Sequence, residues 1–132
     1  MFTLSVYGAL ALLCLRIALG VIFIVHGKAK WGMWKMQPSE QMPAGMLVKM
    51  KILAITETLG GIAVLFGFLT QLAALGLALI MLGAMDFKIR TMKRHFVDSA
   101  GGWEFDLILL AASLALVLLG SGAWAIDTLL FL

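Results

Sequence analysis

The stretch Tyr7–Gly27, YGALALLCLRIALGVIFIVHG, is a 21-residue apolar run with an arginine, Arg16, near its middle. The length suits a helix crossing a hydrocarbon core about 30 Å thick. A guanidinium at that depth costs on the order of 3 kcal/mol on insertion scales, so it is expected to face protein or water. Arg16 therefore requires other helices around it, and the remaining apolar segments are read as those helices.

Hydrophobic residues make up 63% of the 132 and charged residues 13%, with a mean hydropathy of +1.07. So few charges could not coat a water-soluble domain of this size. The expected fold is all-α: an integral membrane four-helix transmembrane bundle, antiparallel and up-down. It forms one domain over residues 1–132, with spans at about 7–27, 52–69, 71–87 and 103–119. The net charge of +3 would suggest nucleic acid in a soluble protein, but here it reports topology, and no nucleic-acid partner is expected. Cys14 is the only cysteine, which excludes an internal disulfide or a Cys-x-x-Cys pair. The first span is expected to be retained rather than cleaved as a signal peptide, because no Lys or Arg precedes Tyr7 and the run exceeds a typical signal core.

The connection Lys28–Lys51 holds both prolines, Pro38 and Pro43, and five of the nine methionines. With Trp31 and Trp34 it reads as a loop lying in the membrane interface. Thioether binding of Cu(I) is the sharper reading of those methionines, but no cysteine or paired histidine stands beside them, and methionine is a common packing filler. Glu57 shares a helical face with Ala54, Gly60, Gly61 and Val64, which lets a neighbouring helix approach closely. Gly67–Gln71 allows only a tight helical hairpin. Gly76, Ile80, Gly83 and Phe87 share one face of the third span, a basic loop follows, and residues 120–132 read as an interfacial cap around Trp124.

If four spans alternate, both long loops fall on one side with Lys28, Lys30, Lys35, Lys49, Lys51, Lys88, Arg90, Lys93 and Arg94, nine of the ten basic residues. The positive-inside rule then puts the loops in the cytoplasm and both termini outside, in a bacterial-type inner membrane. The candidate ligand or proton-site residues are Arg16, His26, Glu57 and Glu104, expected to form a polar pocket in the cytoplasmic half. Arg16 and Glu57 are expected within reach of each other, as a functional site or as an ion pair that fixes helix register. His26 sits at a helix end, where headgroups or terminal carbonyls would also satisfy it. Glu104 and Asp106 lie 200° apart on a helix, and Glu104, on the side of Ala111 and Ala115, is expected to be the inward one. No metal site is expected, and the glycine pairs lack a phosphate-loop pattern.

The motifs LxLRIALGVIFIVHGK at Leu13–Lys28, TETLGGIAVLFGFLT at Thr56–Thr70 and GGWEFDLILLAA at Gly101–Ala112 resemble the DoxX family in order and spacing. The tail GSGAWAID, Gly120–Asp127, is similar to that family's GxGxxSxD ending, with Ala125 in place of serine. Arg16, Gly27, Glu57, Gly61 and Glu104 match its recurrent polar and glycine positions. The resemblance implies a four-helix membrane protein linked in some relatives to redox complexes, including a thiosulfate:quinone oxidoreductase subunit and an assembly with superoxide dismutase and a sulfurtransferase. It does not by itself deliver a reaction.

Three functions follow as expectations. In the first the chain is a non-catalytic or quinone-docking membrane subunit. Arg16, His26 and Glu57 would hydrogen-bond a quinone or relay protons, while an oxidoreductase partner docked on the basic loops supplies the redox centre. In the second it is a small homo-oligomeric proton-coupled transporter built on Glu57. In the third it is an assembly or scaffold protein in which polar groups only specify the bundle. The bilayer is a partner in each, and no covalently bound cofactor is expected.

Overall fold

The computed structural model describes residues 4–131. The expected placement of the terminal residues Met1 and Leu132 themselves falls outside them. Among the described residues there are five helices and no strand: α1, Leu4–Lys30; α2, Ala44–Phe66; α3, Thr70–Asp86; α4, Glu104–Leu119; and a short α5, Ile126–Phe131. A 3₁₀ turn, Trp31–Lys35, continues α1, and a π turn, Phe87–Thr91, continues α3.

Local chemistry explains the helix ends. Lys28 and Lys30 occupy the last turn of α1, where cations meet the negative end of the helix dipole. Pro43 directly precedes α2, and its carbonyl accepts the Leu47 N–H at 3.0 Å. The helix thus begins eight residues before the expected Ile52, because Lys49 and Lys51, as good helix formers, continue it rather than break it. Gly67 ends α2 at φ +70°, a left-handed conformation that favours glycine. Leu69 takes the same conformation at φ +47°, a costlier choice that the site described below stabilises.

α1 packs chiefly on α2, and α3 on α4. The first pair runs antiparallel and close: Gly20 lies against Gly61 and Leu65, and further along Gly27 lies against Thr58 and Ala54. A Cβ on Gly20 would come within 2.8 Å of the Gly61 carbonyl oxygen, so the glycines set this approach. All four long helices share one core, with Leu19 and Phe23, Val64, Leu77 and Met81, and Leu109 and Leu116 at its centre. The expected inward face of α2 is observed, since Ala54, Glu57, Gly61 and Val64 are buried. On α3 the buried positions are instead Thr70, Ala74, Leu77, Ala78 and Met81, leaving Gly76 and Gly83 in open space.

Two stretches, Val6–Lys35 and Thr70–Thr91, are long and apolar enough to cross a membrane. α2 carries Lys49, Lys51 and Glu57 within 23 residues, and α4 has 16 residues, so these two fall short on charge and on length respectively. The outward surface is nevertheless apolar on all four, as Ile17 and Val21, Ile52 and Leu59, Leu72 and Leu79, and Ile108 and Leu118 show. Such continuous exposed apolar area suits hydrocarbon rather than water.

Candidate functional site

The polar groups gather at two opposite ends. The tail end holds the α2–α3 turn and α5. The loop end holds the α1–α2 and α3–α4 connections.

Arg16 belongs to the tail end. It is 2% exposed, and its Nη1 and Nη2 donate to the carbonyl oxygens of Ser121 at 3.0 Å and Trp124 at 2.6 Å. The expected contact with Glu57 is not made. Helical side chains lean toward the N-terminus of their own helix, so Arg16 on α1 and Glu57 on the antiparallel α2 lean in opposite directions. Gly67 makes room for the guanidinium: a Cβ there would collide with Arg16 Nη1 and stand 2.5 Å from the Ala125 Cβ.

Asp127 completes this end. Its Oδ1 accepts the Leu69 N–H at 2.6 Å, and its Oδ2 accepts the Thr70 N–H at 2.9 Å and the Thr70 hydroxyl at 2.7 Å. Its own N–H donates to the Gly67 carbonyl at 2.8 Å. A carboxylate distant in sequence thereby caps α3 and holds Leu69 in its left-handed conformation. Burial pushes the Asp127 carboxyl up, but the Thr70 and Leu69 hydrogen bonds and the Arg16 charge outweigh it and hold the pKa below the usual value. Beside Asp127 a shallow groove of about 430 Å³ is lined by Thr70, Gln71, Ser121, Thr128 and Phe131 among others.

Glu57 belongs to the loop end. It is 3% exposed and pairs with Lys30, Nζ to Oε2 at 2.5 Å. The Lys30 ammonium also donates to the His26 carbonyl at 3.4 Å. Next to the pair, the Trp31 indole N–H donates to the Thr58 hydroxyl at 3.2 Å, and that hydroxyl donates to the Ala54 carbonyl at 2.6 Å. His26 is exposed, and its ring stacks on Phe105 with centroids 5.7 Å apart, linking α1 to α4.

The second buried carboxylate at this end is Asp106, 6% exposed and paired with Lys88 at 2.7 Å. Glu104 is exposed, which reverses the expected choice between them. The inward face of α4 is Asp106, Leu109, Leu110, Ser113 and Leu116, so large leucines rather than the alanines Ala111 and Ala115 mark the core side. Asp86 pairs on the surface with Arg90.

The expected four-residue pocket therefore divides. Arg16 sits at one end, Glu57 and His26 at the other, and Glu104 stands outside both. Lys30, Lys88, Asp106 and Asp127 complete the two clusters. The lysines read as interfacial flank in the sequence, and their spacing, one turn past a helix's apolar stretch and opposite an acid on the next helix, is the signal that could have found them. For Asp127 the signal was its place in the tail motif.

The DoxX family model matches residues 11–90. A Bacillus subtilis protein named "Putative oxidoreductase CatD" is 34% identical over 123 residues, covering 90% of this chain and 86% of its own length. A Mycobacterium tuberculosis protein named "Uncharacterized membrane protein Rv3486" is 29% identical over 137 residues, covering 91% of this chain and 81% of its own. No solved structure matches the chain. With the family's model spanning more than half of its residues, and a relative of this identity aligned nearly end to end, this all-helical membrane protein belongs to the DoxX family.

Proposed function

We infer that the chain is a membrane subunit associated with an oxidoreductase, and that the loop end docks a quinone. The observation that carries this is the buried Glu57–Lys30 pair beside His26 and Trp31. Quinone oxygens accept hydrogen bonds, so a fitting site must offer spare donors. Lys30 has three N–H groups, two of them directed to Glu57 and the His26 carbonyl, which leaves one. The exposed His26 ring stands one helical turn away. Arg16 does not belong to this set, because it lies at the other end, bonded to the Ser121 and Trp124 carbonyls. A bound quinone would supply two-electron, two-proton chemistry. Lys30 would donate to its oxygen, Glu57 would hold Lys30 in place, and the His26 ring would hold or release a proton. A partner subunit would supply the redox centre.

The oxidoreductase name of the Bacillus subtilis relative supports this reading. The same reading takes α1–α4 as four antiparallel spans in an inner membrane, with both loops cytoplasmic and both termini outside. A carboxyl-terminal reporter active only in the cytoplasm would overturn that topology. Native mass spectrometry of the protein released gently from its own membranes tests the function. Stoichiometric quinone or a redox partner is expected, with the quinone lost in Lys30→Met. A homo-oligomer carrying phospholipid alone would overturn the reading and direct attention to transport by Glu57 in liposomes.

A further inference from the structure

Ion pairing sorts the charges at the loop end into two groups. Lys30, Lys88, Arg90 and Arg94 are matched by Glu57, Asp106, Asp86 and Asp98. Of the nine basic residues there, these four pairings leave five, Lys28, Lys35, Lys49, Lys51 and Lys93, with no carboxylate partner among the described residues. Only Glu40 and Glu104 remain to oppose them.

Four of the five lie on one hairpin. Lys28 is in the last turn of α1, Lys35 ends the 3₁₀ turn, and Lys49 and Lys51 lie in the second turn of α2. Lys28 and Lys35 flank a tryptophan pair in the sequence. The Trp31 and Trp34 rings stack with centroids 6.1 Å apart, and the Lys51 ammonium stands 5.7 Å from the Trp34 centroid. The Trp31–Thr58 hydrogen bond holds this turn against α2. From the same end an apolar stripe, Val48, Ile52, Ile55, Leu59, Ile62 and Phe66, runs outward-facing along the whole of α2.

Unpaired cations, interfacial aromatics and an apolar stripe therefore follow one another along a single hairpin. That sequence of chemistries matches a phospholipid from phosphate to acyl chain. An acidic protein surface would match the cations and leave the stripe unmatched. The tail end offers no comparable exposed group, since its one arginine, Arg16, is buried.

We propose that the loop end of the α1–α2 hairpin is a docking surface for anionic phospholipid, with Lys28, Lys35, Lys49 and Lys51 meeting the headgroup phosphate and the acyl chains lying along the α2 stripe. The surface does not depend on the quinone reading.

The test uses tryptophan quenching in vesicles. The full chain is reconstituted into phosphatidylcholine containing either brominated phosphatidylglycerol or brominated phosphatidylcholine. With Trp103 and Trp124 replaced by phenylalanine, Trp31 and Trp34 are expected to report a preference for the anionic lipid of about five-fold or more, the scale of one lysine near an anionic surface, weakening as salt is raised. The combined Lys28→Gln, Lys35→Gln, Lys49→Gln and Lys51→Gln variant should lose the preference, and the corresponding four-arginine variant should keep it. Equal quenching by the two lipids, or a preference that survives in the glutamine variant while its helix content matches the parent, overturns the proposal. It is also overturned if vesicles show no preference while the glutamine variant sheds an acidic protein from native membranes.

Discussion

At the tail end a buried cation is bonded to two backbone carbonyls, whereas at the loop end two buried carboxylates are paired with lysines whose side chains remain 22% and 26% exposed. Carbonyl acceptors neither titrate nor swing away, so the tail end has one arrangement and its charge specifies the fold. A partly exposed lysine has water as an alternative partner to its carboxylate. The two ends therefore differ in how firmly their charges are held.

The sharpest way to break that contrast is at Arg16. Arg16→Leu removes both bonds to the tail and the cation near Asp127, and is expected to cost about 3–5 kcal/mol, read as a loss of thermal stability in detergent. Combining it with Glu57→Leu should bring no rescue, because the two residues do not pair. Lys30→Met comes next. It strands the Glu57 carboxylate, and about 2–3 kcal/mol is expected, with most of it restored in the Lys30→Met/Glu57→Gln double variant by a double-mutant cycle.

Asp127→Asn should cost about 1–2 kcal/mol, the scale of a lost helix cap. It also carries a pH signature. The folded Asp127 pKa lies below its ordinary 3.8, so its contribution is present above that value and is lost as pH falls through the folded pKa. Acid unfolding should therefore release the tail in the parent, while the asparagine variant lacks that step when proteolysis of residues 120–131 is followed against pH. Glu104→Gln, by contrast, should change stability by no more than about 0.5 kcal/mol, the ordinary scale of an exposed substitution. A large effect there would mean that the inward face of α4 is assigned wrongly.

Periodicity and length were enough to find α1, α3 and α4 to within a few residues, and the small-residue face around Glu57 was legible because burial follows the helical repeat. Which polar groups meet was not legible. The sequence places Arg16 and Glu57 within reach, but reach is directional, and antiparallel neighbours lean apart. Alanines suggest that Glu104 faces the core, whereas α4 turns its leucines and Ser113 inward. Charge at Lys49 and Lys51 ends the apolar run and reads as loop, yet a helix can continue past its apolar stretch without changing its backbone. The cap on α3 lies 57 residues from the helix it completes, a separation that no local pattern encodes.

The Arg16 bonds also set an order of events during synthesis. The guanidinium enters with the first helix, but its acceptors at Ser121 and Trp124 lie 105 and 108 residues later. At about 5–20 residues per second it waits on the order of 5–20 s for them. Throughout that interval Arg16 lacks both acceptors. Residues 121–127 therefore close the molecule in time as well as in space, and a chain interrupted before them leaves the guanidinium without either bond.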